Sequence, residues 1–249
     1  MTLNFLIAPD FSPDRFAGWH MLNTLLQRRS GINLHLLTPA SPPEQAELLA
    51  GDQVDLVYAN PFDAVDMIRQ NGYVPFARPV GKFDEMVIAT AAESALQRLE
   101  DIAPGSRIAL TDNKDVKLIG LRLLEPADLT EADIQWQMVD TYQAAARMAI
   151  KGEVDASFFL AEAYHSLSKL TKSQLKALME SKLADITHVL LTSAKVGADA
   201  ERVKEALVGL TGTPDGQPVL DELGIAGGFE PMTQEDAEFM IDLMDTLLD

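Results

Sequence analysis

One short pattern occurs twice in this chain, about a hundred residues apart. Residues 44–57 and residues 143–156 each contain a helix-like run, a glycine that stops it and a Val-Asp step into an apolar stretch. Two similarly built lobes leave such a trace, whereas a solenoid repeats every ~20–50 residues. The repeat therefore predicts two α/β lobes. The alternative is a coincidence of two common helix-to-strand turns.

Short apolar runs alternate with helix-like segments along most of the chain. This order predicts mostly parallel sheets that are covered by helices on both faces. After residue 192 only helices are expected. The predicted strands are Leu3–Ala8, Ile32–Leu37, Val54–Ala59, Tyr73–Ala77, Met86–Ala92, Arg107–Thr111, Gln135–Val139, Val154–Phe159 and His188–Thr192. The predicted helices open at Pro13 and at Pro42, and then span Phe62–Gln70, Lys114–Leu124, Thr141–Ile150, Ala161–Leu170, Ser173–Ser181, Asp199–Leu207, Pro214–Leu223 and Thr233–Leu248.

The charge balance excludes several classes of partner. The 249 residues include 38 Asp and Glu against 20 Lys and Arg, a net charge of −18. A field of that sign repels nucleic-acid phosphates and anionic lipid headgroups. The chain has no cysteine, and its four histidines lack metal-ligand spacing, so no disulfide, thiolate or metal site is expected. No cofactor motif occurs, and no apolar stretch approaches the ~20 residues of a spanning helix.

The N-terminus gives two expectations about location. Residues 1–9 have the pattern of a strand rather than of a basic segment followed by an apolar leader. Either a leader preceded this chain and the protein is periplasmic, or the protein is cytoplasmic. We expect the gene to encode a leader.

Several short motifs resemble the phosphonate/phosphite-binding protein family of ABC importers. They are Gly72-Tyr73-Val74-Pro75 followed by Ala77, the segment Leu210–Gly216, Leu223-Gly224 and Phe229-Glu230-Pro231. The resemblance implies a two-lobed type 2 periplasmic-binding fold with a ligand cleft between the lobes. It also implies two crossover hinge strands at 86–92 and 188–192. The first lobe would comprise residues 1–86 plus 190–249, and the second lobe residues 87–189.

The resembling family binds its anion at a helix N-terminus after a run of Ser and Thr, where free N–H groups and the helix dipole favour negative charge. The corresponding segment here is Thr111-Asp112-Asn113-Lys114-Asp115. Thr111 remains a candidate donor, but two carboxylates would repel a phosphonate. We therefore expect Thr111, Asn113, Lys114 and Asp115 to bind a ligand that carries donors or a positive group, or a zwitterion held partly by Lys114.

Further candidate ligand-binding residues follow the predicted strands, because ligands of open α/β sheets bind outside the carboxyl ends of strands. For each residue a structural alternative stands beside the binding role: an ordinary turn, a solvated acidic turn, a helix cap or a core aromatic. The candidates are Asp10 and Phe11 after the first strand, Tyr58 and Asn60 at the end of the third, Asp84 and Glu85 before the first hinge strand, and Phe158 in the second lobe.

These features together predict a non-enzymatic solute-binding protein that closes over a small polar molecule and delivers it to a membrane permease. The alternative is a cytosolic enzyme on the same fold, of the menaquinone-pathway or pyrimidine-precursor type. No histidine or carboxylate stands out as an activated base, which counts against the enzyme. A regulatory sensing domain ranks last, because no DNA-binding or transmembrane segment accompanies the pattern.

Overall fold

Two β-sheets, one in each of two units, form the framework of the computed structural model. The structure describes residues 2–9, 11, 15–51 and 53–248. The first unit comprises Met1–Phe83 and Thr187–Leu243, and the second comprises Asp84–Ile186 and Met244–Asp249. The strands are β1 Thr2–Ile7, β2 Asn33–Leu37, β3 Leu56–Ala59, β4 Tyr73–Pro79, β5 Met86–Ala91, β6 Arg107–Leu110, β7 Gln135–Met138, β8 Ala156–Leu160, β9 Leu175–Glu180, β10 Val189–Ser193 and β11 Phe229–Pro231.

The helices cover these sheets, and their starts follow ordinary capping rules. Ser41 and Asn60 cap two helices of the first unit, and each is followed by proline in the first turn. Among the described residues, no helix combines the length and the apolar character needed to cross a bilayer. The helices are α1 Phe16–Ser30, α2 Pro42–Ala50, α3 Pro61–Asn71, α4 Lys114–Leu124, α5 Tyr142–Ile150, α6 Ala161–Ser166, α7 Lys169–Ser173, α8 Ala198–Val208, α9 Gln217–Glu222 and α10 Gln234–Leu248. The predicted helix start at Pro13 lies outside the described residues.

The sheet of the first unit has the order β11-β4-β10-β3-β1-β2. Strands β1, β2 and β3 are parallel, while β10 runs antiparallel to both β3 and β4. The expectation that only helices follow residue 192 was wrong. Phe229–Pro231 pairs antiparallel with β4, and this edge strand of three residues is too short to show a strand period in the sequence.

The sheet of the second unit has the order β7-β6-β8-β5-β9 and carries a separate core on each face. Strands β6, β7 and β8 are parallel, and β5 runs antiparallel to β8 and β9. Side chains alternate across the sheet, so Phe158 belongs to one core and its neighbour Phe159 to the other.

The internal repeat marks equivalent places in the two sheets. Asp55 accepts a hydrogen bond from the backbone N–H of Asn4 at 2.8 Å, and Asp155 accepts one from the N–H of Arg107 at 2.7 Å. Asp55 precedes β3, which pairs parallel with β1, the strand that contains Asn4. In the same way, Asp155 precedes β8, which pairs parallel with β6, the strand that contains Arg107. The Val-Asp step is thus the entry of a central strand in each unit.

The chain crosses between the units three residues earlier than the resemblance implied, after Phe83 and after Ile186. Residues 84–86 belong to the second unit because Met86 opens β5, whose strand pairs with β8. Residues 187–189 belong to the first unit because Val189 pairs with Ala59 of β3. The chain from Met244 onward, which the resemblance assigned to the first lobe, groups with the second unit.

One predicted helix is a strand. The helix predicted over Ser173–Ser181 is replaced by the short helix α7 and the edge strand β9. The segment is rich in helix-forming Leu, Lys, Ala and Met, so its local preference favoured a helix. Pairing with β5 overrides that preference, since β9 completes the sheet and buries Leu175 against it.

Candidate functional site

In the first unit, three chain segments meet at the carboxyl edge of β1 and β3. Parallel pairing aligns Ile7 with Tyr58, and antiparallel pairing aligns Ala59 with Val189. Asn60 at the end of β3, the turn after β1 and His188 at the start of β10 therefore lie at the same edge. This edge is where ligands of open α/β sheets bind.

A series of aromatic rings runs from the core of the first unit to this edge. The Phe11 ring meets Trp19 edge-on at 6.2 Å between centroids, and Trp19 lies 4.7 Å from Tyr58. Tyr58 in turn stacks on His188 at 4.9 Å, with 19° between the ring planes. Tyr58 and Trp19 are buried, whereas His188 and Phe11 are half-buried. The half-buried rings of the series are therefore the ones that remain partly exposed to solvent.

Asn60 caps the helix that follows β3. Its side-chain oxygen accepts a hydrogen bond from the N–H of Asp63 at 2.8 Å, and its amide nitrogen donates to the Asp63 carboxylate at 3.0 Å. Gln45 donates to the same carboxylate. The structural role considered for Asn60, a helix cap, is thus present, and it uses both ends of the side-chain amide.

In the second unit, the candidate residues also converge on one sheet edge. The carboxyl ends of β6 and β8 lie there together with the start of β5, because Met86 pairs with Leu160 in antiparallel register. This arrangement brings Asp84 and Glu85 to the same edge as Thr111 and the start of α4. Because β8 lies between these two strands, the start of β5 and the carboxyl end of β6 are about 10 Å apart.

Glu85 is engaged within the protein. One carboxylate oxygen accepts a hydrogen bond from the Ser181 hydroxyl, and the other accepts one from the N–H of Ala184 at 2.8 Å. Ala184 has a positive φ of 60°, a conformation that costs energy for a residue with a side chain. The Glu85 carboxylate therefore stabilises the turn after β9. Its neighbour Asp84 is buried, and its N–H donates to the carbonyl of Ile186 at 2.8 Å.

The start of α4 combines a helix cap with two buried polar side chains. Asn113 caps the helix by accepting the N–H of Val116 at 3.0 Å. Asp115 is only 4% exposed, and Thr111 is 8% exposed. The Thr111 hydroxyl is buried without a hydrogen-bond partner in the part of the chain that the structure describes. Lys114 is exposed.

The described residues contain no group of three or more side chains able to hold a metal ion. Among the residues described at these two edges, no hydrogen bond joins a base to a nucleophile. What the two edges offer is hydroxyl, amide, carboxylate and aromatic groups at the ends of strands, which is the chemistry of recognition.

Comparison with known proteins identifies the kind of protein. A family model described as "ABC transporter, phosphonate, periplasmic substrate-binding protein" matches residues 5–237. The chain belongs to this family of substrate-binding proteins. No curated protein matches the chain by sequence.

Solved structures share the fold of this substrate-binding protein at low sequence identity. A binding-protein component of an ABC phosphonate transporter from Pseudomonas aeruginosa has a TM-score of 0.81 at 14% identity, covering 99% of this chain and 86% of that one. PhnD1 from Prochlorococcus marinus, in complex with methylphosphonate, also scores 0.81, at 11% identity over 99% and 98%. The periplasmic aliphatic sulphonate-binding protein SsuA from Escherichia coli scores 0.66, at 17% identity over 99% and 86%.

The family and the shared fold confirm the type 2 periplasmic-binding fold and the solute-binding role expected from the motifs. Substrate-binding proteins of ABC importers bind small ligands and deliver them to a membrane permease. They do not catalyse a reaction, and the enzyme considered as the alternative gains no support.

The structure assigns one expected binding residue of this substrate-binding protein to the core and places a further ring at the sheet edge of the first unit. Phe158 is fully buried, packs edge-on against Trp136 and fits over Gly120, where a Cβ would lie 2.2 Å from its ring. It is therefore a core residue. His188, which is not among the candidates named from the sequence, is the half-buried ring stacked on Tyr58. Asp10 lies outside the described residues.

Proposed function

We propose that this substrate-binding protein is the receptor of an ABC importer for a small polar ligand that carries hydrogen-bond donors or a positive charge. The start of α4 carries the proposal. There, the buried Asp115 and the cap Asn113 stand where the resembling family has hydroxyls. The ligands named for the similar structures, methylphosphonate and aliphatic sulphonates, instead carry anionic oxygens.

Charge repulsion is the physical reason. The positive end of a helix dipole attracts an anion, but Asp115 already supplies a carboxylate within the first turn. Two unit charges about 4 Å apart repel each other by about 4 kcal/mol at an effective dielectric constant near 20. A phosphonate would meet that repulsion, whereas an ammonium or amide group would be attracted. The buried Thr111 hydroxyl, which lacks a described partner, can pair with either kind of ligand.

Two binding measurements test the ligand class. Calorimetric titration with methylphosphonate, phosphite and phosphate is expected to give no submicromolar affinity. A thermal-shift screen of amino acids, polyamines and sulfonates is expected to give its largest shift with a cationic or zwitterionic compound, because a ligand that binds only the native state raises its apparent stability. Submicromolar binding of a phosphonate would contradict the proposal.

Variants of the same volume locate the interaction. Asp115→Asn, and likewise Asp84→Asn, should weaken the cationic hit by about 1–3 kcal/mol if that carboxylate meets a ligand donor. The matched control is Asp140→Asn, which removes an exposed carboxylate after β7. Unchanged affinity in a folded Asp115→Asn variant would remove this residue from the site.

The periplasmic location of the family supports the proposal that this protein works in the periplasm after removal of a leader. Cell fractionation of the natural gene product tests it, and a product that stays in the cytoplasm would contradict it.

The two crossings of the chain are the proposed hinge. The backbone carbonyl of Lys82 accepts a hydrogen bond from the Thr187 hydroxyl at 2.7 Å, and the backbone N–H of Asp84 donates to the carbonyl of Ile186 at 2.8 Å. The two crossing segments are therefore hydrogen-bonded to each other. Small-angle scattering should give a smaller radius of gyration with the hit from the screen than without it. An unchanged radius at saturating ligand would speak against the hinge.

A further inference from the structure

The segment from His165 to Lys182 is a basic stretch in an acidic protein. It contains Lys169, Lys172, Lys176 and Lys182 but only one carboxylate, that of Glu180, whereas the whole chain has a net charge of −18. The segment comprises the end of α6, the short helix α7 and the edge strand β9. We call its outer surface the α7–β9 face.

The lysine charges on this face are not neutralised by carboxylates. Lys172 donates to the carbonyl of His165 at 2.7 Å, and Lys176 donates to the carbonyl of Ser94 at 3.1 Å. None of the four lysines forms a salt bridge within the described part of the chain. The carboxylate of Glu180 is engaged by His165 at 2.8 Å. By contrast, lysines elsewhere, such as Lys151 and Lys204, are paired with carboxylates.

The same segment exposes large apolar side chains, one on α7 and one on β9. Leu170 is 73% exposed, the highest value among the large hydrophobic residues described, and Met179 on β9 is 40% exposed. Burial of such side chains is favourable, so a face that combines them with unneutralised charge has the composition of an interaction surface.

The backbone of β9 adds a third element. This strand is the last of its sheet, and within the described residues it pairs only with β5. An edge strand presents unpaired N–H and C=O groups that another extended chain can use.

Protection against aggregation is the ordinary explanation for a lysine on an edge strand. Lys176 alone would serve that purpose. It does not account for Lys169 and Lys172 on α7 or Lys182 after β9, and the exposed Leu170 and Met179 would defeat the protection.

We propose that the α7–β9 face binds an extended acidic segment of a protein partner, which pairs with the free edge of β9 while its carboxylates meet the lysines that flank this edge. Charge complementarity favours an acidic segment, and the open edge favours an extended one. An anionic membrane satisfies only the first condition, because it offers no extended chain that could pair with β9.

The test uses the full chain and a fluorescent peptide of alternating Glu and Val as probe. The probe should bind with an affinity that falls as salt is added, and it should slow hydrogen exchange of the amides of Leu175–Glu180. The charge-reversal variant Lys169→Glu/Lys172→Glu should lose about tenfold or more in affinity. The matched control, Lys151→Glu/Lys204→Glu, makes the same change in net charge and should bind as the wild type does.

Leu170→Ser separates the apolar contribution, since it leaves the charge unchanged and should still weaken the probe. Several results would overturn the proposal: no binding of the probe, equal losses in the reversal and control variants, or binding without protection of β9. Preferential binding to vesicles with anionic headgroups, abolished by Lys169→Glu/Lys172→Glu, would replace the protein partner with a membrane.

Discussion

At the scale of single residues, Asp55 and Asp155 have the same structural role in the two units. Each follows a buried valine and accepts the backbone N–H of the neighbouring parallel strand. Asp155 has an additional contact at 3.4 Å with the guanidinium of Arg107. The carboxylate thus satisfies a strand-entry N–H that would otherwise need another partner. The internal repeat in the sequence has this physical cause.

Removal of either carboxylate should destabilise its own unit. Asp55→Ala and Asp155→Ala are expected to lower the free energy of unfolding by about 1–3 kcal/mol, because a partly buried N–H loses its acceptor. The chain has two tryptophans, Trp19 in the first unit and Trp136 in the second, so fluorine NMR of fluorotryptophan-labelled protein in urea can follow each unit. Asp140→Ala, at an exposed site, is the control. If both variants unfold at the same urea concentration as the control, the hydrogen bonds do not stabilise the strands.

Tyr164 gives a prediction about alkaline pH. Burial, and secondly the carboxylate of Glu180, raise the pKa of its phenol above the ordinary value of 10.0. A raised pKa in the folded state means that this residue stabilises the protein below pH ~10 and that the contribution is lost as the pH rises through the folded-state pKa. Absorbance titration of tyrosinate should show a late component that Tyr164→Phe removes. Glu180→Gln should shift that component to lower pH, and an unshifted component would leave burial as the only cause.

At the scale of elements, the stabilising role of a helix cap can be measured separately from ligand binding. Asn113 caps α4, and Asn60 caps α3. Asn113→Ala should lower stability by about 1 kcal/mol, whereas Asn113→Asp should keep it, because aspartate caps as well as asparagine does and its charge suits the helix start. Urea unfolding measures both variants, with Asn60→Ala as the matched cap of the other unit. Equal stability of the alanine and aspartate variants would exclude the cap as the role of Asn113.

The sequence predicts most elements of this fold because their apolar periods and caps are local signals. The strand-helix order, the cap at Asn60 and the Val-Asp entries are all visible in it. β9 and β11 are not, because each becomes a strand only through pairing with a distant strand, β5 or β4. Local preference and tertiary pairing conflict in β9, and pairing decides the outcome.

The candidate site is predictable to the extent that strand ends are predictable. The positions of Tyr58 and Thr111 follow from strand boundaries and parallel topology. The position of Asp84 depends on the antiparallel pairing of β5 with β8. Which side chain faces the core requires the packing: Phe158 and Phe159 are adjacent, and both are fully buried, on opposite faces of their sheet. The stacking of His188 on Tyr58 depends on the antiparallel pairing of β10 with β3, which the sequence order does not indicate.

At the scale of the whole molecule, the net charge of −18 predicts an unusual response to salt. Repulsion among like charges destabilises the compact state, and salt screens it as the Debye length falls from about 30 Å at 0.01 M to about 8 Å at 0.15 M. At neutral pH we therefore expect added NaCl to raise the melting temperature. A gain of about 1 kcal/mol corresponds to about 2–4 °C for a chain of this length.

The matched measurement is the same salt series near the sequence pI of about 4.5, where the net repulsion vanishes. Attractive pairs persist there: hydrogen bonds from Arg29, and then from Arg28, hold the pKa of the Asp215 carboxyl below its ordinary value, so it remains ionised. Since salt now screens attraction only, the melting temperature should stay constant or fall as NaCl is added. Calorimetry at both pH values decides the matter. An equal rise at both would mean that salt stabilises the protein through its apolar surface, as excluded salts do, and not by screening its net charge.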